Sequence, residues 1–173
     1  MDIKATLNNL LIPYTSNYAG TLLPGIREYT VTPGEKTTTI SGKGKAGLKQ
    51  EENYYFFYLP VCYKGITGKS YAYYNTSRSK NLYLPASVDE NYSYDIQLPE
   101  NLTLCTPIQE KKIDNPIGSF KITLTSEGSS LHIELALQIK KQLITPAEYP
   151  AFRSLITEWT DRTRKPILFK TVQ

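Results

Sequence analysis

Alternation of apolar and polar positions is clearest from residue 131 to 142. The odd positions are Leu131, Ile133, Leu135, Leu137 and Ile139, and the even ones are His132, Glu134, Ala136, Gln138 and Lys140. A period of two over this length predicts a strand with one face buried. Phe120, Ile122 and Leu124 alternate in the same way up to Ser126-Glu127-Gly128-Ser129, a turn that leads straight into it. The two segments therefore predict an antiparallel hairpin whose register is held by the buried face. Over 91–98, Tyr92, Tyr94, Ile96 and Leu98 share one face and Ser93, Asp95 and Gln97 the other, and Pro99 stops the strand.

Elsewhere the pattern is shorter. Segments 27–32 and 37–41 are β-branched and flank Thr32-Pro33-Gly34-Glu35, a hairpin signal. Tyr54-Tyr55-Phe56-Phe57-Tyr58-Leu59 is continuously apolar, which predicts a strand covered on both faces, ended by Pro60. Tyr71-Ala72-Tyr73-Tyr74 predicts a second aromatic strand, and Leu102 and Leu104 mark a short one. Residues 3–13 have a mixed pattern that reads as a strand or an ordered lead-in segment, and Gly42-Lys43-Gly44-Lys45-Ala46-Gly47 reads as a flexible loop.

One helix stands out. Thr145 can cap it, Pro146 suits its first position, and Glu148, three residues after the cap, can close a capping box. Tyr149, Phe152, Leu155, Ile156 and Trp159 then fall on one stripe. Pro166-Ile167-Leu168-Phe169-Lys170 follows as a last apolar strand. The elements predict a mainly β (α+β) fold, an antiparallel β-sandwich with one C-terminal amphipathic helix and a final strand. Residues 1–25 read as a lead-in segment or linker, and 26–173 as a single domain.

Composition sharpens this without redirecting it. Fourteen Tyr against five Phe and one Trp favour half-buried pleated surfaces. The net charge of +4 is dispersed, with no clustered basic face or recognition motif, so the chain does not read as a nucleic-acid binder. Met1-Asp2-Ile3-Lys4-Ala5 lacks the basic and apolar regions of a signal peptide, and no stretch approaches the length of a membrane span. The chain therefore reads as cytoplasmic or as a piece of something larger. Cys62 and Cys105 could pair as a disulfide or remain two buried thiols; sequence leaves both open.

Candidate chemistry is sparse. A nucleophilic triad needs a base, and the one histidine, His132, lies mid-strand on the polar face. Cys105 stands near a strand end before Pro107, with no helix beginning there to lower its pKa. His132 with Glu134 offers two metal ligands where more are needed. Asp89 and Glu90 with Asp95 could attract a cation, but the first two read more simply as a turn leading into a strand. Gly42, Gly44 and Gly47 match a GxGxxG spacing outside the strand–helix setting that motif requires. No catalytic residue, metal or cofactor is assigned. Ten tyrosines lie between Tyr54 and Tyr94. Tyr54, Tyr55, Tyr58, Tyr71, Tyr73 and Tyr74 are candidate binding residues for a glycan or peptide, set against the plainer reading that they pack a sheet.

Two segments carry a family resemblance. One runs Arg78-Ser79-Lys80-Asn81-Leu82-Tyr83-Leu84-Pro85 and on through Glu90-Asn91-Tyr92-Ser93-Tyr94-Asp95-Ile96-Gln97-Leu98-Pro99-Glu100. The other is Ile144-Thr145-Pro146-Ala147-Glu148-Tyr149-Pro150-Ala151-Phe152-Arg153 with Ile167-Leu168-Phe169-Lys170. Together they resemble the β-rich C-terminal domain of bacterial transglutaminase-like proteins of uncharacterised function, over roughly 54–172. In that family a papain-like Cys-His-Asp core precedes such a domain, and no segment of this chain matches the core. The resemblance implies a non-catalytic accessory domain, with a transglutaminase-like core as partner and a periplasmic or exported location. The alternative is an independent glycan- or peptide-binding module.

Overall fold

A computed structural model describes residues 1–8, 28–45, 47–61, 66, 77–107 and 109–171. Thirteen strands and one helix occur among them. Seven strands form one sheet: β1 (Asp2–Asn8), β2 (Glu28–Pro33), β3 (Thr37–Lys43), β7 (Val88–Gln97), β9 (Gln109–Asn115), β10 (Gly118–Glu127) and β11 (Ser130–Ile139). Their order is β2-β3-β1-β7-β11-β10-β9, with every pair antiparallel. A second sheet runs β4 (Lys49–Glu51), β5 (Tyr54–Phe57), β13 (Ile167–Thr171), β8 (Leu102–Leu104). A small ribbon pairs β6 (Leu82–Tyr83) with β12 (Leu143–Ile144).

The period-two segments behave as their pattern requires. Leu131, Ile133, Leu135, Leu137 and Ile139 are buried, as are Phe120, Ile122 and Leu124 opposite them and Tyr92, Tyr94 and Ile96 on the other flank. The β10–β11 hairpin closes through Gly128, whose φ of 55° lies in the left-handed region that favours glycine. The hairpin around Gly34 also forms, with the Gly34 N–H donating to Thr37 O at 2.8 Å.

Helix α1 (Tyr149–Arg164) lies against β10 and β11. Its stripe of Tyr149, Phe152, Leu155, Ile156 and Trp159 is buried, and the Trp159 ring stands 5.9 Å from that of Tyr92. Residues from both sheets and the helix, including Phe57, Ile167 and Phe169 from the smaller sheet, form one core. The fold is thus mainly β and antiparallel, with one helix among the described residues and a final strand.

Two local expectations are revised, and two strands are added in detail. The helix starts at Tyr149, so Pro146 stands outside it and Pro150 takes the early helical position. Thr145–Glu148 is instead a separate turn, with the Glu148 N–H donating to Thr145 O at 3.1 Å. The carboxylate half of the box survives: Glu148 Oε2 accepts the Thr145 N–H at 3.1 Å and the Thr145 hydroxyl at 3.0 Å. Lys141 engages the same carboxylate, and these contacts hold it at a pKa of about 2, Lys141 contributing most.

Residues 2–8 form a sheet strand, one of the two readings of their mixed pattern, flanked by β3 and β7. Gln109–Asn115, for which the pattern predicts no element, is a strand although Ile113 is its only large apolar residue. It is the sheet edge, where Lys111 and Lys112 suit a strand that must not recruit another chain. Finally, Asp89 and Glu90 are not a turn but belong to β7.

Candidate functional site

Strand β5 is short and open to solvent on one side, contrary to the expectation of cover on both faces. Tyr55 and Phe57 turn inward, Phe57 to 3% exposure, while Tyr54 and Tyr58 are 45% and 44% exposed. The alternation puts Tyr54, Phe56 and Tyr58 in phase on the outer face. Register adds Leu168 of β13 and Lys49 of β4 beside Phe56, and Lys170 and Glu51 beside Tyr54. The Lys49 ammonium sits 5.5 Å from the centre of the Tyr58 ring, within cation–π range. The smaller sheet thus presents an aromatic strip with charged margins. Of the six candidate tyrosines, Tyr54 and Tyr58 belong to it, Tyr55 does not, and Tyr71, Tyr73 and Tyr74 lie outside the described residues.

The nucleophile and base candidates do not meet. Cys105 is a free thiol whose backbone N–H donates to Leu168 O at 2.8 Å, beside the smaller sheet. Its possible disulfide partner, Cys62, lies outside the described residues. His132 is on the outer face of the larger sheet, with Nδ1 2.7 Å from Asp95 Oδ1 and Nε2 3.8 Å from Glu134 Oε1. Lys121 pairs with Glu134 at 3.2 Å, so this is an exposed strip of alternating charge. Asp89 and Asp95 share that outer face while Glu90 points inward, and the three cannot converge on one ion.

Glu90 is the residue whose place was missed. It is fully buried, with its carboxylate accepting the Ile66 N–H and, at 3.0 Å, the Tyr92 hydroxyl. Burial raises its pKa to about 7, opposed by those two hydrogen bonds. Burial, reinforced by the Glu90 charge, also raises the Tyr94 phenol. The signal was present: Glu90 is in phase with Val88, Tyr92, Tyr94 and Ile96.

DUF3858, a domain of unknown function with a solved structure, matches residues 53–169. The chain belongs to this family. The match runs from β5 through β12 and the helix into β13, and leaves out β1 to β4. No curated protein matches the sequence. The chain is also similar to the crystal structure of a candidate protease from Parabacteroides distasonis ATCC 8503, at 31% identity and a TM-score of 0.63. That similarity covers 70% of this chain and 24% of the protease chain, so the DUF3858 chain spans about a quarter of its relative.

Proposed function

We propose that this DUF3858 chain acts as a non-catalytic accessory domain of a longer, protease-like protein, packing on its core or helping to present substrate. The observation that carries this reading is the 31% identity confined to 24% of the protease chain. A domain occupying that fraction leaves ample length for a separate core. The separation of Cys105 from His132 agrees with a core elsewhere supplying any chemistry. The resemblance of 78–100 and 144–170 to transglutaminase-like proteins supports a papain-like core as the partner and an exported or periplasmic setting.

The test is the native gene product. Its intact mass in the source cells should exceed 19.6 kDa, the mass of this chain, and its sequence should include a Cys-His-Asp core. Deleting this domain should then change the turnover or solubility of that core. A native product of this mass alone, with no binding to a separately encoded core, would remove the proposal.

A second reading is favoured by the aromatic strip: a peptide- or glycan-binding face built on Tyr54, Phe56 and Tyr58. Exposed aromatic faces can stack on sugar rings or prolines. Tyr54→Ala and Tyr58→Ala should abolish retention on the cognate glycan or peptide array while leaving the circular dichroism unchanged. Absence of any array signal for the unaltered chain would exclude it.

A further inference from the structure

A second concave surface lies where segment 77–78, edge strand β9 and the first half of α1 meet. It measures about 440 Å³ and is lined by Arg78, Ile113, Pro146, Tyr149, Pro150 and Arg153, among others. The fold explains the convergence. Leu82 pairs with Ile144 in the β6–β12 ribbon, and Arg78, four residues before Leu82, lies against the Tyr149 ring at the start of the helix. Asn115 Nδ2 donates to Ala151 O at 3.1 Å and Lys111 pairs with Glu158, fixing the helix to β9 on the other side.

The electrostatics of the groove are one-sided. The Arg78 guanidinium carbon is 5.9 Å from the centre of the Tyr149 ring, and no carboxylate pairs with it among the described residues. Its Nε–H is removed from solvent and meets no acceptor, the state in which a buried donor is least favourable. Arg153, one helical turn from Tyr149, is exposed and likewise takes part in no ion pair among the described residues. Both arginines line the same groove. The one carboxylate lining the groove, Glu158, is already neutralised by Lys111. Two unpaired forks therefore flank an apolar floor of Tyr149 and Ile113 with proline walls.

We infer that this groove is a docking site for a peptide segment bearing a carboxylate side chain, held between Arg78 and Arg153 with an adjacent apolar residue on the Tyr149 and Ile113 floor. Charge complementarity selects the carboxylate, because guanidinium forks match its two oxygens. The apolar floor selects a peptide over a bare anion. The inference concerns this chain alone, so its failure would leave the accessory reading standing.

The test is a ¹H–¹⁵N NMR titration of the chain to millimolar concentrations of a blocked peptide with two glutamates flanking a leucine. Shifts should map to Arg78, Arg153 and the amides of the first half of α1. The glutamine version of the peptide should produce none. Arg153→Gln, at an exposed position that leaves folding intact, should weaken binding by about tenfold. Arg78→Lys keeps the charge but loses the fork, and should weaken it also. Equal shifts with the glutamine peptide, shifts mapping elsewhere, no shifts at all, or an unaltered Kd in Arg153→Gln would overturn the inference. So would binding of phosphatidylglycerol vesicles through these arginines without binding of the peptide.

Discussion

Tyr92 donates its hydroxyl to the Glu90 carboxylate at 3.0 Å, two residues away on the same strand and inside the core. Their shared phase on β7 places both on the inner face, where the acid also receives the backbone N–H of Ile66. A buried acid with these partners ties Ile66 to the main sheet. It also links folding to pH.

The sign follows from the raised pKa. Unfolded, Glu90 ionises near its ordinary value of 4.5, whereas folded it holds its proton to about pH 7. Between those values the folded state binds the extra proton, so stability falls as pH rises through this window and stays lower above it. The loss is on the order of 3 kcal/mol. Glu90→Gln should remove this dependence, gaining on the unaltered protein from pH 5 to pH 8. Urea unfolding at the two pH values measures it, and parallel curves would show that Glu90 does not carry the effect.

Glu148 acts in the opposite direction. Its contacts with Lys141 and Thr145 hold its pKa at about 2, so their stabilisation is present above the ordinary value of 4.5 and is lost as pH falls toward 2. The site is exposed, so salt should weaken it. Glu148→Gln should therefore speed hydrogen exchange at the Ala151 and Phe152 amides at pH 6. Only at about pH 2 and below should the variant and the unaltered chain converge.

Gly118 admits no side chain. A Cβ there would stand 1.9 Å from Gln138 O, on the neighbouring strand, so backbone and not a flexible side chain would have to move. Gly118→Ala should destabilise by about 1–3 kcal/mol. Gly47→Ala, with nothing within 4 Å of its Cβ, should stay within about 0.5 kcal/mol of the starting protein. Chemical denaturation of both variants checks the contrast.

Trp159 is the largest fully buried side chain and joins the helix stripe to Tyr92. Trp159→Ala should destabilise by about 3–5 kcal/mol, the transfer term and the cavity term together. Unfolding followed by circular dichroism supplies the number. A change below 1 kcal/mol would mean that the helix does not depend on this contact.

Much of the fold was legible from period alone. Strands β7, β10 and β11 and the stripe of α1 each bury a continuous face, so the alternation of their side chains contains the answer. Strand β9 was not legible, because an edge strand rich in Lys, Glu and Asp carries little apolar signal. The helix start was misplaced because the Thr145 and Glu148 spacing fits a capping box, yet Lys141 and Thr145 draw that carboxylate into a separate turn. The candidate tyrosines were half legible: composition marks the cluster, but only the β4–β5–β13 registers show that Tyr54 and Tyr58 face solvent while Tyr55 packs inward.

By itself, then, the sequence determined which residues alternate, which turn, and which form an amphipathic helix, since these depend on neighbours within a few positions. Tertiary structure alone decided the strand order, with β1 between β3 and β7 and β13 between β5 and β8. It also joined Glu90 to Ile66 and brought Arg78 and Arg153 to one groove. Those outcomes depend on which faces find each other across long separations in the chain, and local periodicity contains no record of that choice.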